Sequence, residues 1–176
     1  MWQDAGMAGL VLGLISTAYL FLGQFISGLE SSSLWLTVLS TILWAAKFGG
    51  CIWFMMYFMK RFVKQIPEAD NSTTFRFGML TAALSALVYA AASFANISFI
   101  AADMIAEQTK LMMEQMAPML DSNSISRMEK FMDNLPQVTF FSNLIYCFLF
   151  GTVLSFILSR NIPSRNPFAN KTSDEW

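Results

Sequence analysis

The 176-residue chain is 55% hydrophobic and only 13% charged, against roughly 25% charged in soluble domains, and its mean hydropathy is +0.48. A soluble core of this size cannot hide that much Phe, Met and Trp, so the expected solvent is lipid. A formal net charge of −1 excludes the concentrated basic face of a nucleic-acid binder, and the absence of histidine removes the commonest general base near neutral pH and the commonest metal ligand.

Four apolar stretches, 5–29, 34–59, 77–102 and 138–159, each reach the length of about 20 residues that crosses a hydrocarbon core of about 30 Å as a helix. The predicted fold is all-α. It is a polytopic four-helix membrane domain with a helical extension on one side between the third and fourth helices, residues 103–137, and a polar tail, 160–176. The first stretch is too long, and its start too poor in Lys and Arg, for a cleaved signal peptide, so it is expected to stay as an anchor. It carries small residues at helical spacing, including a GxxxG at Gly9 and Gly13, which lets a second helix pack closely either within the monomer or across a dimer.

The second stretch contains WAAKFGGC, residues 44–51. Lys47 lies near its centre, where a charge costs about 2.5 to 3.5 kcal/mol on insertion scales, so a functional role is the default expectation. Trp44, one turn earlier, shares its face, and Gly50 leaves backbone uncovered beside it, so something can come close. No acid lies at matching depth in any stretch. The lysine is therefore expected to hydrogen-bond a polar stripe on the third helix, to anchor a lipid phosphate or a partner's carboxylate, or to serve transport. Cys51 and Cys147, both inside apolar runs, read as small hydrophobes.

The third stretch supplies that stripe: Thr81, Ser85, Tyr89, Ser93 and Asn96 fall on one helical face. Either interhelical hydrogen bonds or a hydrophilic path explains it. Met79 to Ala117 contains neither Gly nor Pro, so one uninterrupted helix is expected to leave the membrane and project roughly 20 Å beyond it. Pro118 and the polar run at 121–124 are expected to end it, with a second short helix starting near Ser126, where Ser126 and Glu129 have capping-box spacing. Seven methionines in this cap, among them Met113, Met116 and Met119, suit adaptable packing or membrane contact better than Cu(I). The fourth stretch adds Asn143, Tyr146, Ser155 and Ser159.

Lys60, Arg61, Lys64, Arg76, Arg160, Arg165 and Lys171 fall on one side of these stretches and only Lys110, Arg127 and Lys130 on the other. The positive-inside rule then puts both termini in the cytoplasm. With seven acids, the opposite side has a formal charge of −4.

The order of features, with FMKRFVKQ after the second stretch and EQTKLMMEQMAPML before the fourth, resembles a family of small four-span bacterial inner-membrane proteins known as a domain of unknown function. That resemblance implies a membrane location and a four-helix architecture and brings no catalytic residues. The residues themselves point to contacts rather than chemistry: a non-enzymatic accessory or scaffold subunit without cofactor or metal. Its expected partners are membrane lipids and either another membrane protein or further copies of itself. The alternative is a small transporter or channel lined by Lys47 and the polar stripe.

Overall fold

The computed structural model describes residues 2–27, 34–66, 69–116 and 121–162. They form α1 (Trp2–Ser27), α2 (Leu34–Gln65), α3 (Asn71–Ala95), a π-helical segment (Asn96–Ile100), α4 (Ala102–Met116), α5 (Ser122–Asp133) and α6 (Leu135–Asn161). Four segments, Trp2–Phe25, Val38–Gln65, Asn71–Ile100 and Leu135–Asn161, are long and apolar enough to cross a membrane. The chain is thus a multi-pass membrane protein by length and composition.

α3 is the central helix, lying along α1 on one side and α6 on the other. Both contacts are made by small residues. A Cβ on Gly9 or Gly13 of α1 would come within 3.0 and 3.1 Å of the Thr81 and Ser85 carbonyl oxygens, so two missing side chains let α1 rest on the α3 backbone. Against α6, Gly78 and Ala82 of α3 meet Ser155 and Gly151. Ala86 and Ala90 continue that buried edge at four-residue spacing.

α2 departs from this pattern. Only 6% of its apolar window is buried, against 33% for α1, and the buried part lies at the end that carries Lys60, Arg61 and Lys64. There Met55, Met59, Phe62 and Val63 join Ala5, Ala8, Phe77 and Leu158 in the core. The rings of Phe62 and Phe77 stack at 4.2 Å, and each residue is 1% exposed. Toward its other end α2 leaves the bundle, and Trp35, Val38, Ile42 and Trp44 are exposed.

Several boundaries differ from the sequence reading. The basic stretch at 60–65, expected in a loop, is the last part of α2, because Met59, Phe62 and Val63 keep a helical apolar face beneath the charges. α3 starts at Asn71 rather than 77, so Arg76 is helical. Asp70 caps it, its Oδ1 accepting from the Thr73 N–H at 2.7 Å.

The expected unbroken helix from the third span into the cap is interrupted. The Ala101 N–H donates to the Asn96 carbonyl at 2.8 Å, a five-residue turn, and Ala101 breaks the helical conformation at φ −102°, ψ 9°. A π-turn requires neither Gly nor Pro, so nothing in the composition announced it. The polar run at 121–124 starts a helix instead of ending one: Asp121 is the cap of α5, its Oδ1 accepting from the Ser124 N–H at 3.0 Å. It displaces the capping box expected at Ser126 and Glu129. Hydrogen bonds from Ser124, side chain first and then backbone, hold the Asp121 carboxyl below its usual range, and Thr73 does the same for Asp70. Pro118, the tail from residue 163 onward and Glu30 lie outside the described residues.

Candidate site between the four helices

The register of α3 against α2 brings Tyr89 to Lys47. The Lys47 Nζ donates to the Tyr89 hydroxyl at 3.4 Å and lies 4.6 Å from the centroid of its ring. The hydroxyl accepts the hydrogen bond and the ring turns its negative face toward the Nζ. A neutral phenol does not cancel a full charge. Two of the three N–H donors of Lys47 have no hydrogen-bond partner among the described residues.

The pair borders a cavity of about 90 Å³ to which all four long helices contribute: Leu12 and Ser16 from α1, Lys47 and Cys51 from α2, Ser85 and Tyr89 from α3, Tyr146 and Cys147 from α6. Phe48 and Phe150, edge to face at 5.4 Å, close it between α2 and α6. The Cys51 thiol lies 3.6 Å from the Ser16 hydroxyl. Most of the remaining wall is apolar, formed by Met55, Ala82, Ala86 and Leu154 among others.

Lys47 also lines a second space, a groove of about 290 Å³ between α1 and the departing half of α2, bordered by Tyr19, Gly23, Ser40, Leu43 and Trp44. Among the described residues no carboxylate lines either space. The ammonium thus stands between the inter-helix pocket and a lateral groove, able to offer its remaining donors to an anion arriving from the side.

Trp44 is 64% exposed at the mouth of the groove, its ring 4.6 Å from that of Phe48. Gly50, read from sequence as a place of close approach, lines neither space, and a Cβ on it or on Gly49 would meet nothing within 4 Å. The two glycines turn away from the bundle at a level where Phe48 and Cys51 still contact α6 and α1. Asn96 is brought to the π segment rather than to the cavity; it is 4% exposed and its Oδ1 has no hydrogen-bond partner among the described residues. Gly9 and Gly13 lie on the α1–α3 contact.

The polar stripe of α3 is therefore divided. Thr81 donates to the Phe77 carbonyl of its own helix, and Ser93 accepts from the Asn143 side chain across to α6 at 2.9 Å. Only Ser85 and Tyr89 reach the cavity. In the cap, Met132 accepts from the Thr109 hydroxyl at 3.9 Å, linking α5 to α4, while Met119 lies outside the described residues.

Sequence reasoning missed the convergence of Cys51 and Cys147 on Lys47, since each cysteine alone carries no signal. It also missed the small-residue edge of α3 at 78, 82, 86 and 90, although GxxxAxxxAxxxA was there to find. No curated protein and no solved structure matches the chain. A family profile does, over residues 6–160. The chain belongs to the family described as Protein of unknown function (DUF4199).

Proposed function

We propose that the protein is a non-enzymatic accessory or scaffold subunit of the bacterial inner membrane, with both termini cytoplasmic, which uses Lys47 to engage an anion on a partner protein or lipid. The observation that carries this reading is the ammonium itself, which among the described residues is held by a phenol and an aromatic face and borders a lateral groove. A half-buried charge left in this state in the hydrocarbon core is costly, and an external anion relieves the cost. The orientation follows from the distribution of Lys and Arg. Alkaline phosphatase fused after Lys64 is expected to be inactive and after Met116 active; the opposite pattern reverses the orientation.

The test of function is purification of wild type and Lys47→Met in native nanodiscs, with bound lipids and proteins identified by mass spectrometry. Wild type is expected to carry an acidic lipid or a membrane protein that the variant loses. Identical company for two equally folded samples contradicts the reading.

A small transporter is the second reading, supported by the cavity shared among four helices. It is weakened because Thr81 and Ser93, two rungs of the expected path, are committed to hydrogen bonds. Flux through reconstituted liposomes that disappears with Tyr89→Phe would favour it.

A further inference from the structure

We infer that the occupant of the α1–α2 groove is a transmembrane helix of a different protein, one that carries an Asp or Glu at the depth of Lys47. This rests on the reading above, that Lys47 anchors an external anion, and chooses between its two sources.

Depth decides first. Lys47 lies thirteen residues from Leu34, where α2 begins, and thirteen from Lys60, the first of its basic residues, so about 20 Å of helix separates it from either end of the apolar run. In a hydrocarbon core about 30 Å thick that is deep inside, and the hydrogen bond to Tyr89 holds the Nζ against α3 there. A phospholipid phosphate belongs at the headgroup level and would have to sink through half the core to meet it. A carboxylate on a membrane-spanning helix is already at that depth.

The shape of the groove agrees with a helix. Gly23 and Ser40 border it on opposite helices. Small residues let helix backbones approach closely in lipid, where close packing replaces hydrophobic driving force. Alkyl chains can cover the exposed Trp35, Val38 and Ile42, but they supply no acceptor to an ammonium.

The identity of the acid follows by elimination within the sequence. The twelve acidic residues of the chain are Asp4, Glu30, Glu68, Asp70, Asp103, Glu107, Glu114, Asp121, Glu129, Asp133, Asp174 and Glu175. None falls in the interior of a candidate span: Asp4 is at the first turn of its helix, and the others lie between or beyond the spans. A second copy of this chain therefore brings no carboxylate to the depth of Lys47. The complex is heteromeric.

The test places the photocrosslinker p-benzoylphenylalanine at Leu43, on the groove, and at Ile145, on the outward face of α6, in the full chain in its own membranes. The expected result is a Leu43 adduct with a spanning peptide of another protein that contains Asp or Glu, with no such adduct at Ile145. It should fall about tenfold with Lys47→Met, persist with Lys47→Arg, fall likewise when the partner's acid is neutralised, and return when Lys47→Asp is paired with Lys at the partner's position. Adducts with lipid alone, with a second copy of this chain, or with a span lacking an acid overturn the inference. If Leu43 captures only lipid while Lys47→Met still loses a bound acidic lipid in nanodiscs, the anchoring role survives and the partner helix does not. If Lys47→Met changes nothing in either experiment, both fall.

Discussion

Gly13→Leu is expected to lower the thermal midpoint of the detergent-solubilised protein sharply, with a loss of about 3 kcal/mol, the upper end of overpacking costs, while Gly6→Leu on the same helix leaves it nearly unchanged. A Cβ at position 13 would stand 2.6 Å from the Val88 Cβ and 3.1 Å from the Ser85 carbonyl oxygen. Neither atom is the far end of a flexible side chain. The added carbons can be accommodated only by moving α1 off α3, and the α1–α3 contact also places Leu12 and Ser16 on the cavity. At Gly6 the same Cβ meets nothing within 4 Å, so the comparison separates steric exclusion from the general effect of replacing glycine. A Gly13 variant as stable as wild type would show that the α1–α3 packing is not as described.

Phe77→Ala is the second large effect. Its ring lies parallel to that of Phe62 at 4.2 Å, tilted by 11°, and both residues are 1% exposed. Removing a buried phenyl ring forfeits its packing and leaves a void, a loss of about 3 kcal/mol or more by analogy with soluble cores. The pair holds the basic end of α2 to the start of α3, and α2 is otherwise the least enclosed of the four long helices. Loss of the ring should therefore free α2 before the rest of the bundle. Proteolysis in nanodiscs is expected to cut near residues 60–66 in Phe77→Ala and not in Phe99→Ala, whose side chain is 79% exposed and makes no comparable contact. Equal resistance in both variants would remove Phe77 from this role.

The spans were legible because the membrane demands about 20 apolar residues, a requirement that acts on composition alone. Their ends were less so. At the close of α2 the charges of Lys60, Arg61 and Lys64 drew the boundary too early, although Met59, Phe62 and Val63 repeat at helical spacing beneath them. The π segment at 96–100 left no mark because an i+5 turn uses ordinary residues and one displaced hydrogen bond. Asp121 and Ser126 were both chemically able to cap α5, and the backbone used the first. In the site, the stripe carrying Tyr89 and the isolation of Lys47 were visible in one dimension. Which rung of the stripe meets the lysine depends on the register of α2 against α3. That register is set at the far end by Phe62 on Phe77, long-range packing that periodicity does not encode.

The central claim is that an anion from outside the chain covers the Lys47 ammonium in the membrane. Its most direct measurement is the rate at which a membrane-permeant acylating reagent modifies Lys47, read by peptide mass spectrometry, in native membranes and in the purified protein reconstituted alone in zwitterionic lipid. Modification should be slower in native membranes by roughly tenfold or more, the factor that about 1.4 kcal/mol of anion binding supplies. Equal rates in the two settings would contradict the account and leave Lys47 as a residue satisfied by Tyr89.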